Sequence, residues 1–191
     1  MAGRLKSSTA REYVPGPTIS RPEFVSDGTD ERFREIIYAM VAGLDSLMAC
    51  RATFGKLVGL TGSQFAVLVG VAYRQGIDGV TIRDLAEHVR LAQPHVTTEV
   101  GRLIRRGYLI KKPHVSDRRS VLVSLSKKGE AAVSWLLPTI RKTNDRLFAN
   151  ISSAELVKVG RMMRKLGANA KVALAELPPN EMTSDGSVRQ N

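Results

Sequence analysis

The sequence predicts a mainly α-helical protein with one small β element, and three observations carry that expectation. Apolar residues recur at three- and four-residue spacing through most of the chain, which is the period of helices with one buried stripe. The exception is Val121, Val123 and Leu125, which recur at every second position as in a strand with one buried face. Hydroxyl-led start signals at Thr61, Thr81 and Ser152, with glycines after the apolar stripes, mark where helices begin and end.

Residues 1–29 mix Ser, Thr, Gly and charges, with Pro15, Pro17 and Pro22 breaking any period, and are expected to form a flexible N-terminal arm. From Asp30, the residues Phe33, Ile36, Ile37, Met40, Val41, Leu44, Leu47 and Met48 describe one long helix, placed at 30–58 and ended by Gly55 and Gly59. Thr61-Gly62-Ser63-Gln64 has the spacing of a capping box. It opens a second helix with Phe65, Leu68, Val69 and Ala72 inward, closed by Gly76 and Gly79. Thr81-Ile82-Arg83-Asp84 starts a short third helix, with Leu85, Ala86 and Val89 inward and Asp84 near its positive end.

A fourth helix is expected over 92–106. Pro94 is tolerated in its first turn, and Val96, Val100, Leu103 and Ile104 form its buried stripe. The outward face carries Thr98, Arg102 and Arg105, with His95, Glu99 and Arg106 at its edges, and Gly107 ends it. Tyr108-Leu109-Ile110 reads as one strand and Val121 to Leu125 as its partner; Pro113 predicts a short ladder with an irregular tip. From Ser126 the helical period returns through Val133, Leu136, Leu137, Ile140, Leu147 and Phe148, with Pro138 expected to kink or split it. The capping box Ser152-Ser153-Ala154-Glu155 starts a last helix, so that 126–175 is helical and 176–191 a flexible tail.

Helix, short helix, helix, strand, basic loop, strand is the order of a helix-turn-helix with a wing, spanning 61–125 between long flanking helices. A helix that enters a major groove needs an inner stripe for docking and an outer row that reaches base edges. Gln93, Pro94, His95, Thr97, Thr98, Arg102 and Arg105 are the candidates for that outer row. Lys111, Lys112, His114, Asp117, Arg118 and Arg119 are the candidates on the wing. The chain has 29 Lys and Arg against 18 Asp and Glu, a formal charge of +11, which favours a polyanionic partner. Between Thr81 and Ser120 nine basic residues face four acidic ones, so the excess is concentrated where the fold argument places nucleic acid. Arg118 and Arg119 suit phosphates or a narrow minor groove, while Asp117 is expected to pair with Arg119 or a backbone amide and hold the loop.

The stretch TIRDLAEHVRLAQPHVTTEVGRLIRRGYLIKKPHVSDRRSVLVSLSKKGEA resembles the winged helix-turn-helix core of the MarR family of bacterial transcription regulators. The likeness rests on Leu85-Ala86, on the run from Val96 to Leu109, on Asp117-Arg118-Arg119, and on the "LSKKG" element at Leu125 to Gly129. It implies a homodimer whose flanking helices, at about 30–55, 127–148 and 153–174, intertwine. It also implies a reading helix at 92–106 and a wing arginine at Arg118 or Arg119. Members typically repress nearby operons and release DNA when a small, often aromatic or phenolic, anion enters a pocket between the dimerisation and DNA-binding parts; some instead sense oxidants through cysteine. Pro94 near the start of the reading helix, the long N-terminal arm and Pro138 depart from the pattern.

The expected function is therefore a sequence-specific regulator of double-stranded DNA, a repressor released from an inverted-repeat operator by a small ligand. The alternative is an architectural or non-specific DNA-binding protein without a small-molecule signal. Tyr38, Arg51, Tyr73 and His88 are candidates for an effector pocket, each weighed against ordinary core-edge packing. His88, His95 and His114 do not fall on one element, and the single cysteine, Cys50, reads as a packed small residue, so no metal and no cofactor are expected. The sequence offers no nucleophile with an adjacent base, no paired carboxylates and no phosphate-cradling glycine loop, so no enzymatic activity is expected. MAGRLKSSTAREYV lacks the apolar stretch of a secretory leader and no consecutive apolar run spans a bilayer, so the expectation is a cytoplasmic protein without a membrane partner.

Overall fold

The computed structural model describes residues 13–113 and 120–177. Five of the helices and a three-stranded sheet run as α1 (Glu31–Leu57), α2 (Gly62–Arg74), β1 (Val80–Thr81), α3 (Ile82–Val89), α4 (Gln93–Arg105), β2 (Leu109–Pro113), β3 (Val121–Leu125) and α5 (Lys127–Leu147). The last helix is α6 (Ser153–Ala175). This is the expected architecture, mostly helical with a small antiparallel sheet. The chain divides into two units between Pro138 and Thr139.

In the first unit α2 is the central helix, with Phe65, Val67, Leu68 and Val71 buried. The sequence pattern placed Val69 and Ala72 inward, yet both are only partly buried, while Val67 and Val71 are sealed. The reason is that α2 packs against α1, α3, α4 and β3 at once, so more than one stripe is covered. A helix buried on several sides gives no clean one-face period. Leu85 of α3, Val96 and Leu103 of α4, Val123 of β3 and Val133 of α5 complete the same core.

Helix starts follow the capping chemistry. Thr61 accepts from the amide of Gln64 while Gln64 returns a bond to the Thr61 amide, and Ser152 and Glu155 form the same reciprocal pair. Thr81 caps α3 by accepting from the Asp84 amide at 3.1 Å. Two helix ends use left-handed glycines. At Gly59 (φ 69°) the Leu60 amide donates to Gly55 at 2.8 Å, and at Gly107 (φ 75°) the Tyr108 amide donates to Leu103 at 2.9 Å.

Three details sharpen the sequence reading. Val80–Thr81 forms a short strand paired with Leu122 and Val123, so the sheet has order β1-β3-β2. Two residues leading into a helix carry no alternation, which hid β1. The ladder between β2 and β3 runs through Pro113, which lies opposite Val121. Ser126 donates to Tyr108 at the other end of the ladder, so bonding alternates at Ile110 and Lys112 and leaves position 113 with its nitrogen facing away from β3. An edge strand accepts proline there without losing a bond. Pro138 does not split the fifth helix, which is continuous from Lys127 to Leu147 around it.

Within the segment read as an arm, residues 22–24 form a 3₁₀ turn and Ser26 bridges Thr29. The Thr18 amide and hydroxyl both donate to Asp30, at 2.6 and 2.5 Å, and Arg34 pairs with the other carboxylate oxygen. The Thr18 hydroxyl and then its amide, with Arg34 beside them, hold the Asp30 carboxyl below the ordinary carboxylate range against the opposing effect of burial.

Among the described helices, α1 alone is long and apolar enough to cross a membrane by length and composition, with a mean hydropathy of 1.3 over its best stretch. The sequence reading missed this because Gly43, Asp45 and Ser46 interrupt the consecutive apolar run without lowering the average enough. The C-terminal turn of α1 is nonetheless packed, with Phe54 and Gly55 buried and the Phe54 ring 5.7 Å from that of Phe65.

Candidate nucleic-acid interface

The surface of α4 divides cleanly. Val96, Val100 and Leu103 are sealed against the core, while Gln93, Pro94, His95, Thr97, Thr98, Arg102 and Arg105 are all exposed. The helix thus presents every candidate residue of the sequence reading on the accessible side of one rigid element. Its N-cap, Ala92, makes no side-chain capping bond, so the first-turn amides have no such partner.

The threonines are not idle hydroxyls. Thr97 donates to the carbonyl of Gln93 at 2.9 Å and Thr98 to that of Pro94 at 3.1 Å. Back-bonding of this kind turns each oxygen toward the helix. To donate to a phosphate or base, either hydroxyl must first give up that bond; its methyl group is the part offered without cost.

The basic residues sort into two groups. Arg106, read at the edge of the outward face, donates to the carbonyl of Gly59 at 2.9 Å and lies 3.4 Å from the Gln64 side-chain oxygen. It ties the end of α4 to the turn between α1 and α2. Arg105, Lys111 and Lys112 are exposed on α4 and β2, and no ion pair involves them among the described residues. Arg102 lies between these groups, half-exposed and paired with Glu99 at 2.7 Å. Glu99 was expected at the edge of the outer face, but only 2% of it is exposed. Helical spacing alone put it between the faces; the neighbouring elements then closed over it.

The wing root is built by the "LSKKG" element, a role its sequence did not reveal. Ser126 caps α5 by accepting from Gly129 at 3.1 Å and donates to the carbonyl of Gly107 at 2.6 Å. Lys128 donates to the carbonyl of Arg106 at 2.9 Å, the end where a cation is favoured by the helix dipole, and its ammonium lies 4.5 Å from the Tyr108 ring centre. The end of α4 and the start of α5 are thereby clamped on either side of β2. His114, Asp117, Arg118 and Arg119 lie outside the described residues.

The proposed effector residues are scattered. Tyr38 and Arg51 stand thirteen positions apart on α1, about 20 Å along the axis, so one small pocket in one subunit does not hold both. Tyr38, Tyr73 and His88 are exposed, whereas the Arg51 Nε is buried without a hydrogen-bond partner among the described residues. His88 borders Gly70, one turn from Tyr73, on the α2–α3 seam. Cys50 is partly buried. Among the described residues no group of three or more metal-ligating side chains converges.

The model of the MarR family (MarR_2) matches residues 58–120. Over those residues the chain is similar to the winged helix of the MarR family. The MarR family is one of DNA-binding transcriptional regulators, and this chain is similar to BadR, a transcriptional activatory protein of Rhodopseudomonas palustris, at 29% identity over 114 residues. That match covers 59% of this chain and 65% of BadR, so the chain spans just under two thirds of that relative's length. The regulator MhqR of Bacillus subtilis is 26% identical over 59% of this chain and 76% of its own length. Among solved structures, a mutant MarR from E. coli complexed with operator DNA superposes with a TM-score of 0.57 at 20% identity, covering 70% of this chain and 96% of that one. Bordetella bronchiseptica BpsR, described for regulation of its DNA binding by 6-hydroxynicotinic acid, gives 0.56 at 23% identity, covering 70% and 98%. These MarR-family structures share the fold of this chain.

Proposed function

We propose that this MarR-family chain is a homodimeric, sequence-specific transcriptional regulator that seats α4 in the major groove and lays the β2–β3 wing along the backbone. The observation that carries this reading is the division of α4 into a sealed inner stripe and an outer row of seven exposed candidates, with the C-terminal end of the helix tied down through Arg106 and Lys128. That is what base readout requires, because a side chain discriminates only if its helix holds still. Arg105, Lys111, Lys112 and the wing arginines Arg118 and Arg119 supply the phosphate contacts.

A second copy of the chain is the proposed cover for the apolar faces left open on the long helices. Ile36, Val41, Leu44 and Met48 of α1 are 45–52% exposed, and Leu156, Val159, Met162 and Leu166 of α6 are 44–48% exposed. Monomers rarely leave such stripes in water. Two-fold symmetry then gives an inverted-repeat operator with half-sites one helical turn, or a multiple of it, apart.

The sign we propose is repression, relieved by a small hydroxyaromatic carboxylate. The effect of 6-hydroxynicotinic acid on BpsR supports an effector of that class, and the buried Arg51 Nε, which has no hydrogen-bond partner among the described residues, is a group suited to anchor it. The name of BadR points to activation, so deleting the gene and measuring transcripts of its neighbours tests the sign directly.

Titration against the gene's own upstream region and a random duplex, at two salt concentrations, tests the whole reading. A regulator keeps a large preference for its own site as salt rises. Comparable curves that weaken together would instead assign the chain to non-specific, architectural binding.

A further inference from the structure

The reading helix contains an acid that its surface does not explain. The Glu99 side chain is 3% exposed, and its Oε1 accepts from Nη1 of Arg102 at 2.7 Å, while Arg102 itself is 50% exposed. The second oxygen, Oε2, is buried with no hydrogen-bond partner among the described residues. Burying a carboxylate that is only half satisfied is costly, and an apolar side chain of the same size would serve the core at least as well. A feature that works against stability at the centre of a functional helix needs another reason.

We propose that Glu99 is a positioning residue that orients Arg102 to read one guanine in each half-site. This inference rests on the placement of α4 in the major groove. An arginine at the surface is mobile and clamps any phosphate it meets. With Nη1 held from behind by a buried oxygen, the guanidinium is restrained, and its Nε–Nη2 edge, which has no bond among the described residues, is left as two parallel donors on a half-exposed side chain. That fork matches the O6 and N7 acceptors of guanine, a pairing that no other base presents in the major groove. The carboxylate also offsets the arginine's charge, which weakens its attraction to phosphates at every sequence alike. Glu99 therefore lowers non-specific binding and raises discrimination together.

The test uses the full-length protein and the segment it protects in its own upstream region, with every base pair of one half-site substituted in turn. The wild-type protein is expected to show one G·C pair whose substitution lowers affinity about five- to hundredfold. In Glu99→Leu that position becomes indifferent while the others keep their effects, binding to a random duplex tightens, and the melting temperature is equal or higher. Glu99→Gln, which keeps an acceptor for Nη1, retains the guanine preference, and Arg102→Lys, which keeps the charge without the fork, loses it. Should Glu99→Leu not fold, Glu99→Met repeats the measurement with an unbranched side chain. A leucine or methionine variant that still prefers guanine at the same pair overturns the proposal, as does an Arg102→Lys protein whose base preferences match the wild type. A wild-type protein with no base preference at all would instead overturn the major-groove reading beneath it.

Discussion

The Tyr108 hydroxyl donates to the carbonyl of Val58 at 3.0 Å, joining residues fifty positions apart in the chain. Val58 is the last residue before the glycine that ends α1, and Tyr108 follows the glycine that ends α4. The bond fastens the two helix ends together beneath the wing, with Lys128 over the same ring. Tyr108→Phe keeps the ring and removes only the hydroxyl. It should lower stability by about 1 kcal/mol in chemical denaturation, and an unchanged midpoint would show that the clamp is held by packing alone.

Gly129 is the residue of the "LSKKG" element with no room to grow. A Cβ built there overlaps the carbonyl oxygen of Tyr108 at less than 3.0 Å, and that oxygen belongs to backbone already bonded to Ser126. Gly129→Ala should cost about 1–3 kcal/mol from overpacking. Gly43, with nothing within 4 Å of a built Cβ, is the control. Gly43→Ala should be neutral or stabilising in the same melt, because alanine favours the helix.

Asp30 predicts an acid-sensitive anchor for the segment before α1. Its carboxyl is held low mainly by the Thr18 hydroxyl, so the folded form binds a proton less readily than the unfolded chain. The stabilisation is therefore fully present above the unfolded value, about 3.9, and is lost as pH falls through the lower folded value. Melting curves for wild type and Asp30→Asn should differ at pH 7 and begin to draw together as pH falls below about 4. A gap that stays constant down to pH 3 would remove the carboxylate from the account.

The two kinds of DNA contact should separate under mutation. Arg118→Ala, in the stretch of sequence between β2 and β3, should weaken binding to nearly all duplexes and make the salt dependence shallower by about one unit of slope. Thr98→Ala, on the outer row of α4, should cost about 1–3 kcal/mol mainly at the true operator. Because Thr98 spends its proton on Pro94, the loss at the operator comes from its methyl group or acceptor oxygen. Thr98→Val, which retains a methyl, should recover part of it if the methyl carries the contact.

Much of the fold was legible in one dimension because it is written in local chemistry. Thr61 with Gln64, Thr81 with Asp84 and Ser152 with Glu155 bond within one helical turn, and Gly59 and Gly107 stop helices through their own backbone freedom; such signals need no distant partner. The exposed row of α4 was legible for the same reason, since a helix beside an apolar stripe must turn its other residues outward. What the tertiary structure alone decided depends on neighbours far along the chain. Glu99 is buried by the elements packed around α4, Arg106 is drawn back to Gly59, Val67 and Val71 are sealed because α2 is covered on several sides, and β1 exists only because β3 offers it an edge. Spacing along a sequence reports which side chains share a face; whether that face meets water, a carbonyl or another helix is set by chain that returns from fifty residues away.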